Sequence, residues 1–249
     1  MSGQSDAWRL TCFDELPSTS DYCLNACRTE EDVTGLAVLA RRQTKGRGSR
    51  GRSWLDGGQG LALSVVQAVA QAGPDALGGW PFVASLGFYE GLLRAVPAAQ
   101  GHLMIKWPND ILLDGRKMGG ILIEREGDYV LVGLGANLAT APQQSQLERP
   151  VACLAQCGIV PDVETVAHHV LDGLALWCRQ WRQKGFASIR AAWLERAHPL
   201  GTPLVVQGGT TYEKGLFAGL AEDGRLLLDT ERGMKTIATG DILLMEKGA

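Results

Sequence analysis

Apolar and polar positions change their spacing several times along the chain, and each change marks an element. Arg9 to Phe13 is a short extended stretch with Leu10 and Phe13 apolar, which predicts a first strand. Pro17-Ser18-Thr19-Ser20 then supplies a turn and a cap for a helix running to about Arg28. Gly35 to Ala40 is nearly all apolar and of buried-strand length, and Leu61 to Val66 reads as another strand. Between them lies a long glycine-rich loop, Arg41 to Gly60. From Trp80 to Val96 the apolar positions take helical spacing, and Pro97 ends the run. Four short strands follow at Leu103–Lys106, Ile111–Leu113, Gly120–Arg125 and Tyr129–Leu134, separated by turns such as Asp114-Gly115 and Gly127-Asp128. A polar loop from Thr140 to Arg149 leads to two helices, about Val163 to Lys184 and Ser188 to Ala197.

At His198-Pro199-Leu200-Gly201 the pattern breaks, and the remainder alternates short strands with glycine turns. Strands are expected at Leu204–Gln207, Tyr212–Leu220, Leu226–Asp229, Met234–Ile237 and Ile242–Met245, a pattern suited to a small SH3-like barrel. The expected fold is therefore α+β: a mixed sheet with helices over residues 1–198, and a C-terminal SH3-like barrel over residues 199–249.

Composition narrows the function classes. The 249 residues are 45% hydrophobic and 20% charged, ordinary globular values that exclude a disordered or fibrous chain. With 24 Lys and Arg against 27 Asp and Glu, the net charge of -3 gives no global case for a nucleic-acid binder. No apolar run approaches the roughly 18 residues of a membrane span, and Met1 to Leu10 lacks a secretory pattern. A soluble, cytoplasmic protein with no membrane association is expected. Cys23 and Cys27, like Cys153 and Cys157, are four residues apart, and Cys12 and Cys178 sit in apolar runs. The six cysteines thus read as buried, reduced thiols, with no resident metal site. His168 and His169 read as helix surface.

Two segments carry chemistry. Arg41 to Trp54 holds six basic residues and no acid, with Gly46, Gly48 and Gly51 alternating among the cations. Such a loop brings its backbone close to an anion and offers arginine forks to phosphate or carboxylate. It follows neither the phosphate-loop order nor the dinucleotide turn. Lys106-Trp107-Pro108-Asn109-Asp110 is followed by Arg116-Lys117-Met118-Gly119-Gly120, and the turn between them returns Lys117 toward Lys106. Two lysines and an aspartate beside an arginine-rich loop suit an acid plus a triphosphate.

Pro17-Ser18-Thr19-Ser20, the run from Gln43 to Trp54, Lys106-Trp107-Pro108-Asn109-Asp110, Arg116-Lys117 with Gly119-Gly120, and Gly133-Leu134-Gly135-Ala136-Asn137 together resemble the biotin protein ligases. The order and separation match, and Gly240-Asp241 fits the family's terminal barrel. The resemblance implies a class II synthetase-like catalytic fold. It also implies a two-step reaction, in which biotin and MgATP give biotinyl-5′-AMP and a lysine of a carrier then takes the biotin. The implied acceptor is the biotin carboxyl carrier protein or domain of acetyl-CoA carboxylase or a related carboxylase. The short class, without a DNA-binding helix-turn-helix, is the one resembled, and a homodimer is left open.

By the same resemblance Ser18, Thr19, Ser20, Gln43, Gly46, Arg47, Gly48, Ser49, Lys117 and Gly120 would bind biotin. Arg50, Arg52, Lys106, Asn109, Asp110 and Asn137 would serve ATP, with Mg²⁺ arriving on the nucleotide. Lys117 and Arg47 are the catalytic cations, and Trp54 is expected to pack the loop and not to touch biotin. Three departures stand out. Ser49 replaces a common arginine, Ser20 a common asparagine, and no adenine-stacking tryptophan lies between Thr140 and Val160. The alternatives are a lipoate or octanoate ligase or transferase of the same fold, and a non-enzymatic nucleic-acid binder. The latter lacks a stacking platform, because no aromatic lies between Arg41 and Ser53.

Overall fold

The computed structural model describes residues 8–55, 57–69, 76–142, 150–208 and 211–244. Within it β1 (Arg9–Leu16), α1 (Thr19–Thr29) and β2 (Leu36–Gln43) form a parallel crossover, as the strand–cap–helix–strand pattern requires. Ser18 caps α1, its hydroxyl accepting from the Asp21 N–H at 3.3 Å. β3 (Leu61–Ala68), β4 (Leu103–Lys106), β5 (Asp110–Leu113), β6 (Arg116–Glu126) and β7 (Tyr129–Ala136) complete a seven-stranded sheet in the order β1-β2-β3-β7-β6-β5-β4. All pairings except β1–β2 are antiparallel.

Side chains alternate across this sheet and sort into two layers. One face packs on α2 (Ala76–Ala95) and α3 (Val163–Arg196), burying Leu61, Leu63, Val65, Leu86, Phe88, Leu92, Val170 and Leu174. The other face meets α1 through a smaller cluster of Cys23, Ala26, Val33, Val38, Val66 and Leu131. The two expected carboxyl-terminal helices are both present within Val163–Arg196, divided at Gly185, whose φ of 72° is non-helical. Among the described residues no helix is long and apolar enough to cross a membrane.

β8 (Pro203–Gly208), β9 (Thr211–Leu220), β10 (Leu226–Thr230), β11 (Gly233–Ile237) and β12 (Asp241–Leu244) form a second, antiparallel SH3-like sheet in the order β11-β10-β9-β8-β12. Its inner side chains Leu204, Phe217, Leu226 and Leu228 belong to the same core as α2 and α3. The Lys106 ammonium donates to the Ile242 carbonyl at 3.2 Å, and the Trp107 indole donates to the Gly224 carbonyl at 3.2 Å. His198 lies in this seam, 2% exposed and against the Phe217 ring. Burial, helped by Lys106, pushes its pKa down to about 4, so it is neutral at pH 7.

Two expectations change here. Arg41 to Gln43 belong to β2 and not to the loop, because β1 pairs alongside them as far as Gln43. Cys12 is exposed, because β1 is an edge strand; the other cysteines are buried or half-buried, and all six are free thiols. Residues 143–149 of the polar loop, and Met245, lie outside the described residues.

Candidate active site

The pocket follows from strand register. On the α1 face, Ala62 of β3 pairs with Gly135 of β7, which pairs with Gly120 of β6. Two residues along, Ser64 pairs with Gly133, which pairs with Leu122. Small residues at every one of these positions but Leu122 leave a shallow floor where a sheet ordinarily carries side chains. The first residues of α1 and the arginine loop stand around it. The pocket above this floor is lined by Thr19, Ser20, Gln43, Arg47, Gly48, Ser49, Trp54, Asn109, Lys117 and the floor residues.

The floor cannot carry larger side chains. A Cβ on Gly135 would lie 2.8 Å from Trp54 Cε2, and one on Gly133 would lie 2.9 Å from Ser20 Oγ. Trp54 therefore does more than pack the loop, since its ring lies on Gly135 and lines the pocket. The Lys117 ammonium lies 5.9 Å from the ring centroid.

The wall is a loop closed on itself. Trp54 N–H donates to Gly46 O at 2.9 Å, Gly48 N–H donates to Arg52 O at 2.8 Å, and Arg47 bridges to Ser53. A short 3₁₀ turn, Ser49–Gly51, forms its tip, with Arg50 at φ 60° in the left-handed region. Gly46 does not line the pocket. A Cβ there would meet Trp54 O at 2.7 Å, so its small size serves loop closure.

Charge gathers at the end nearest β5. Asp110 accepts from Lys106 at 2.8 Å and from Lys117 at 2.6 Å. Burial raises the Asp110 carboxyl, but the two ammoniums outweigh it and hold its pKa at about 2. The Asp114-Gly115 turn brings Lys117 back beside Lys106 as expected, and the Trp107–Pro108 peptide in the β4–β5 turn is cis. Lys117 is the more accessible cation, at 32% side-chain exposure against 8% for Lys106.

Three arginines of the loop rest on carboxylates. Arg47 binds Asp21 at 2.8 Å and also Glu124. Arg50 and Arg52 reach across to Asp241 at the start of β12, at 3.2 and 3.4 Å. Of the residues expected to serve ATP, only Asn109 lines the pocket itself; Lys106 and Asp110 stand behind Lys117, while Arg50 and Arg52 point to the second sheet. Asn137 is buried, and its amide donates to Ala152 O at 3.0 Å, pinning the segment that also pairs with Lys117. Ser18 is a helix cap and lies outside the lining. Ser64, Gly133, Gly135 and Trp54 join the site without having been singled out as ligand contacts. The signal for Ser64 was its isolation as a polar residue in the apolar run Leu61 to Val66. Among the described residues no three His, Cys, Asp or Glu side chains gather as metal ligands.

Residues 12–137 match the biotin/lipoate A/B protein ligase family, and residues 204–245 match the biotin protein ligase C-terminal domain. The chain belongs to the biotin/lipoate A/B protein ligase family. The biotin–[acetyl-CoA-carboxylase] ligase of Paracoccus denitrificans is 39% identical over 238 residues, covering 91% of this chain and 98% of that one. The corresponding enzyme of Mycobacterium tuberculosis is 30% identical, covering 97% and 91%. Among solved structures, the biotin protein ligase of Aquifex aeolicus in complex with biotin and ATP aligns with a TM-score of 0.82 at 27% identity, covering 95% and 98%. Within this family, the C-terminal match places the chain with the biotin branch.

Proposed function

We infer that the chain is an ATP-dependent biotin–protein ligase. The observation that carries this is the pocket's two-ended chemistry: hydroxyls and an amide at the α1 end, and Lys117 on its Asp110–Lys106 support at the other. A bicyclic urea fits the first end, and an acid that must meet a triphosphate fits the second. The relatives named for biotin–[acetyl-CoA-carboxylase] ligase activity align along almost the whole chain.

In the first step a carboxylate oxygen of biotin attacks the α-phosphorus of MgATP, forming the mixed anhydride biotinyl-5′-AMP and expelling pyrophosphate. Both reactants are anionic, so the protein's task is to bring them together and stabilise the charge between them. A role for Lys117 in this is supported by its position in the pocket lining and by its ion pair with Asp110. Arg47 can turn inward from Asp21 and Glu124 onto the carboxylate, while Gly48 and Ser49 bring loop backbone beside it. Arg50 and Arg52 are surface cations able to follow the phosphates, with Asn109 at the shared boundary. In the second step a carrier lysine, as its neutral amine, attacks the acyl carbon; AMP leaves and the nitrogen loses a proton.

On this reading Thr19, Ser20, Gln43 and Gly120 contact biotin, Lys106 and Asp110 support the nucleotide end, and Ser18, Gly46 and Asn137 shape the site. The acceptor is the carrier domain of a biotin-dependent carboxylase. We place the division between the catalytic unit and the terminal sheet after His198, between the end of α3 and the start of β8. Six free thiols are in keeping with a cytoplasmic setting. ATP–pyrophosphate exchange with biotin, lipoate and octanoate in parallel tests the reading: exchange driven by biotin alone is expected. Exchange driven by lipoate or octanoate in its place would reassign the substrate.

A further inference from the structure

The α1 end of the pocket contains a hydrogen-bond chain whose direction can be deduced link by link. The Thr19 backbone N–H can only donate, so the Gln43 atom 2.8 Å from it is the carbonyl oxygen. The Thr19 hydroxyl lies 3.1 Å from the same oxygen, which has no proton, so the hydroxyl proton points there. Ser64 Oγ, 2.8 Å from Thr19 Oγ1, must then be the donor of that bond. Ser20 Oγ, 3.1 Å from Ser64 Oγ, must donate in turn. Each hydroxyl has one proton, and all three point along the chain toward Gln43. What Ser20 and Ser64 have left for the pocket is lone pairs.

We propose that Ser64 is a specificity-determining residue that makes this end of the pocket an acceptor surface for ligand N–H groups. Ser64 is fully buried in β3 and sits between the other two hydroxyls. By donating to Thr19 it commits its own proton, and by accepting from Ser20 it commits that one too, so both oxygens can only accept from a ligand. A cyclic urea offers N–H donors to such a surface. A dithiolane or an alkyl chain offers none and would leave buried acceptors without partners, the situation that gives strong discrimination. The inference deepens the biotin reading and rests on it.

The test is ATP–pyrophosphate exchange with Ser64→Ala and Ser20→Ala, using biotin and a biotin methylated on its ureido nitrogens. In the wild type, biotin is expected to be preferred strongly over the methylated acid. In Ser64→Ala the Ser20 proton is released toward the pocket, so KM for biotin should rise about tenfold or more. KM for MgATP and kcat should stay within about twofold, and the preference over the methylated acid should shrink. Ser20→Ala should show the same split, and it carries the test if Ser64→Ala does not fold. An unchanged biotin KM in both variants would overturn the proposal. So would a parallel loss in kcat and both KM values, which is the mark of a scaffold residue. A wild type driven by lipoate and not by biotin would remove the biotin reading itself, and the proposal with it, before any variant is compared.

Discussion

At the α1 end of the pocket Thr19, Ser20 and Ser64 are buried, uncharged and bonded to one another. At the loop end Arg47, Arg50 and Arg52 are accessible charges resting on Asp21, Glu124 and Asp241. The first set is held by neighbours on rigid elements, so its geometry exists before any ligand arrives. The second is held by surface ion pairs, each worth about 0–1 kcal/mol, which an incoming phosphate or carboxylate can replace. On the proposed function, discrimination falls where the protein is stiff, and charge capture where it can re-pair. Lys117 stands between the two regimes, half-accessible but tied to a buried carboxylate.

The largest expected effect falls on that intermediate residue. Lys117→Ala should lower biotin-driven exchange by about 10²- to 10³-fold, the scale of one lost transition-state cation, and leave the melting temperature nearly unchanged. Activity within tenfold of the wild type would take Lys117 out of the chemistry and move the comparison onto the arginines.

Next comes the support beneath it. Asp110→Asn leaves two ammoniums together in a largely buried place and should cost roughly 3 kcal/mol in urea unfolding at pH 7. The pH dependence sharpens the test. Asp110 titrates at about 2 when folded, against an ordinary 3.8. Its contribution is therefore complete above about pH 4 and is lost as pH falls toward 2. The wild type should lose stability through that window more steeply than the variant. A cost below 1 kcal/mol, or identical acid limbs, would mean that Lys106 and Lys117 do not depend on it.

The smallest effect belongs to the loop's surface partner. Asp241→Asn should change stability by less than about 1 kcal/mol, and the difference should fade in high salt. A salt-insensitive loss of several kcal/mol would show that the loop end is as rigid as the hydroxyl end, and the contrast between them would collapse.

The local parts of this arrangement were legible in the sequence. Ser18 announces α1 because a cap and its helix are neighbours in the chain, and the Asp114-Gly115 turn brings Lys117 to Lys106 within one hairpin. What could not be read depends on register or on distant partners. Ser64 meets Ser20 across 44 residues, and Arg52 meets Asp241 across 189. The seat of Trp54 on Gly135 needs the β3–β7–β6 pairing to be known. Cys12 was misjudged because its apolar neighbours do not reveal that β1 lies at the sheet edge. Arg50 and Arg52 were assigned by motif alone, which gives a residue's type and not where its side chain rests in the absence of a nucleotide.

The bond from Lys106 to the Ile242 carbonyl ties the Lys106–Asp110–Lys117 cluster to β12, the last strand among the described residues. A chain cut short before Ile242 keeps Lys106 and Asp110 but loses an acceptor beneath them. The terminal sheet is thus part of the support of the lysine–carboxylate cluster, and a nick within it should loosen that cluster even though Lys106, Asp110 and Lys117 all lie in the first sheet.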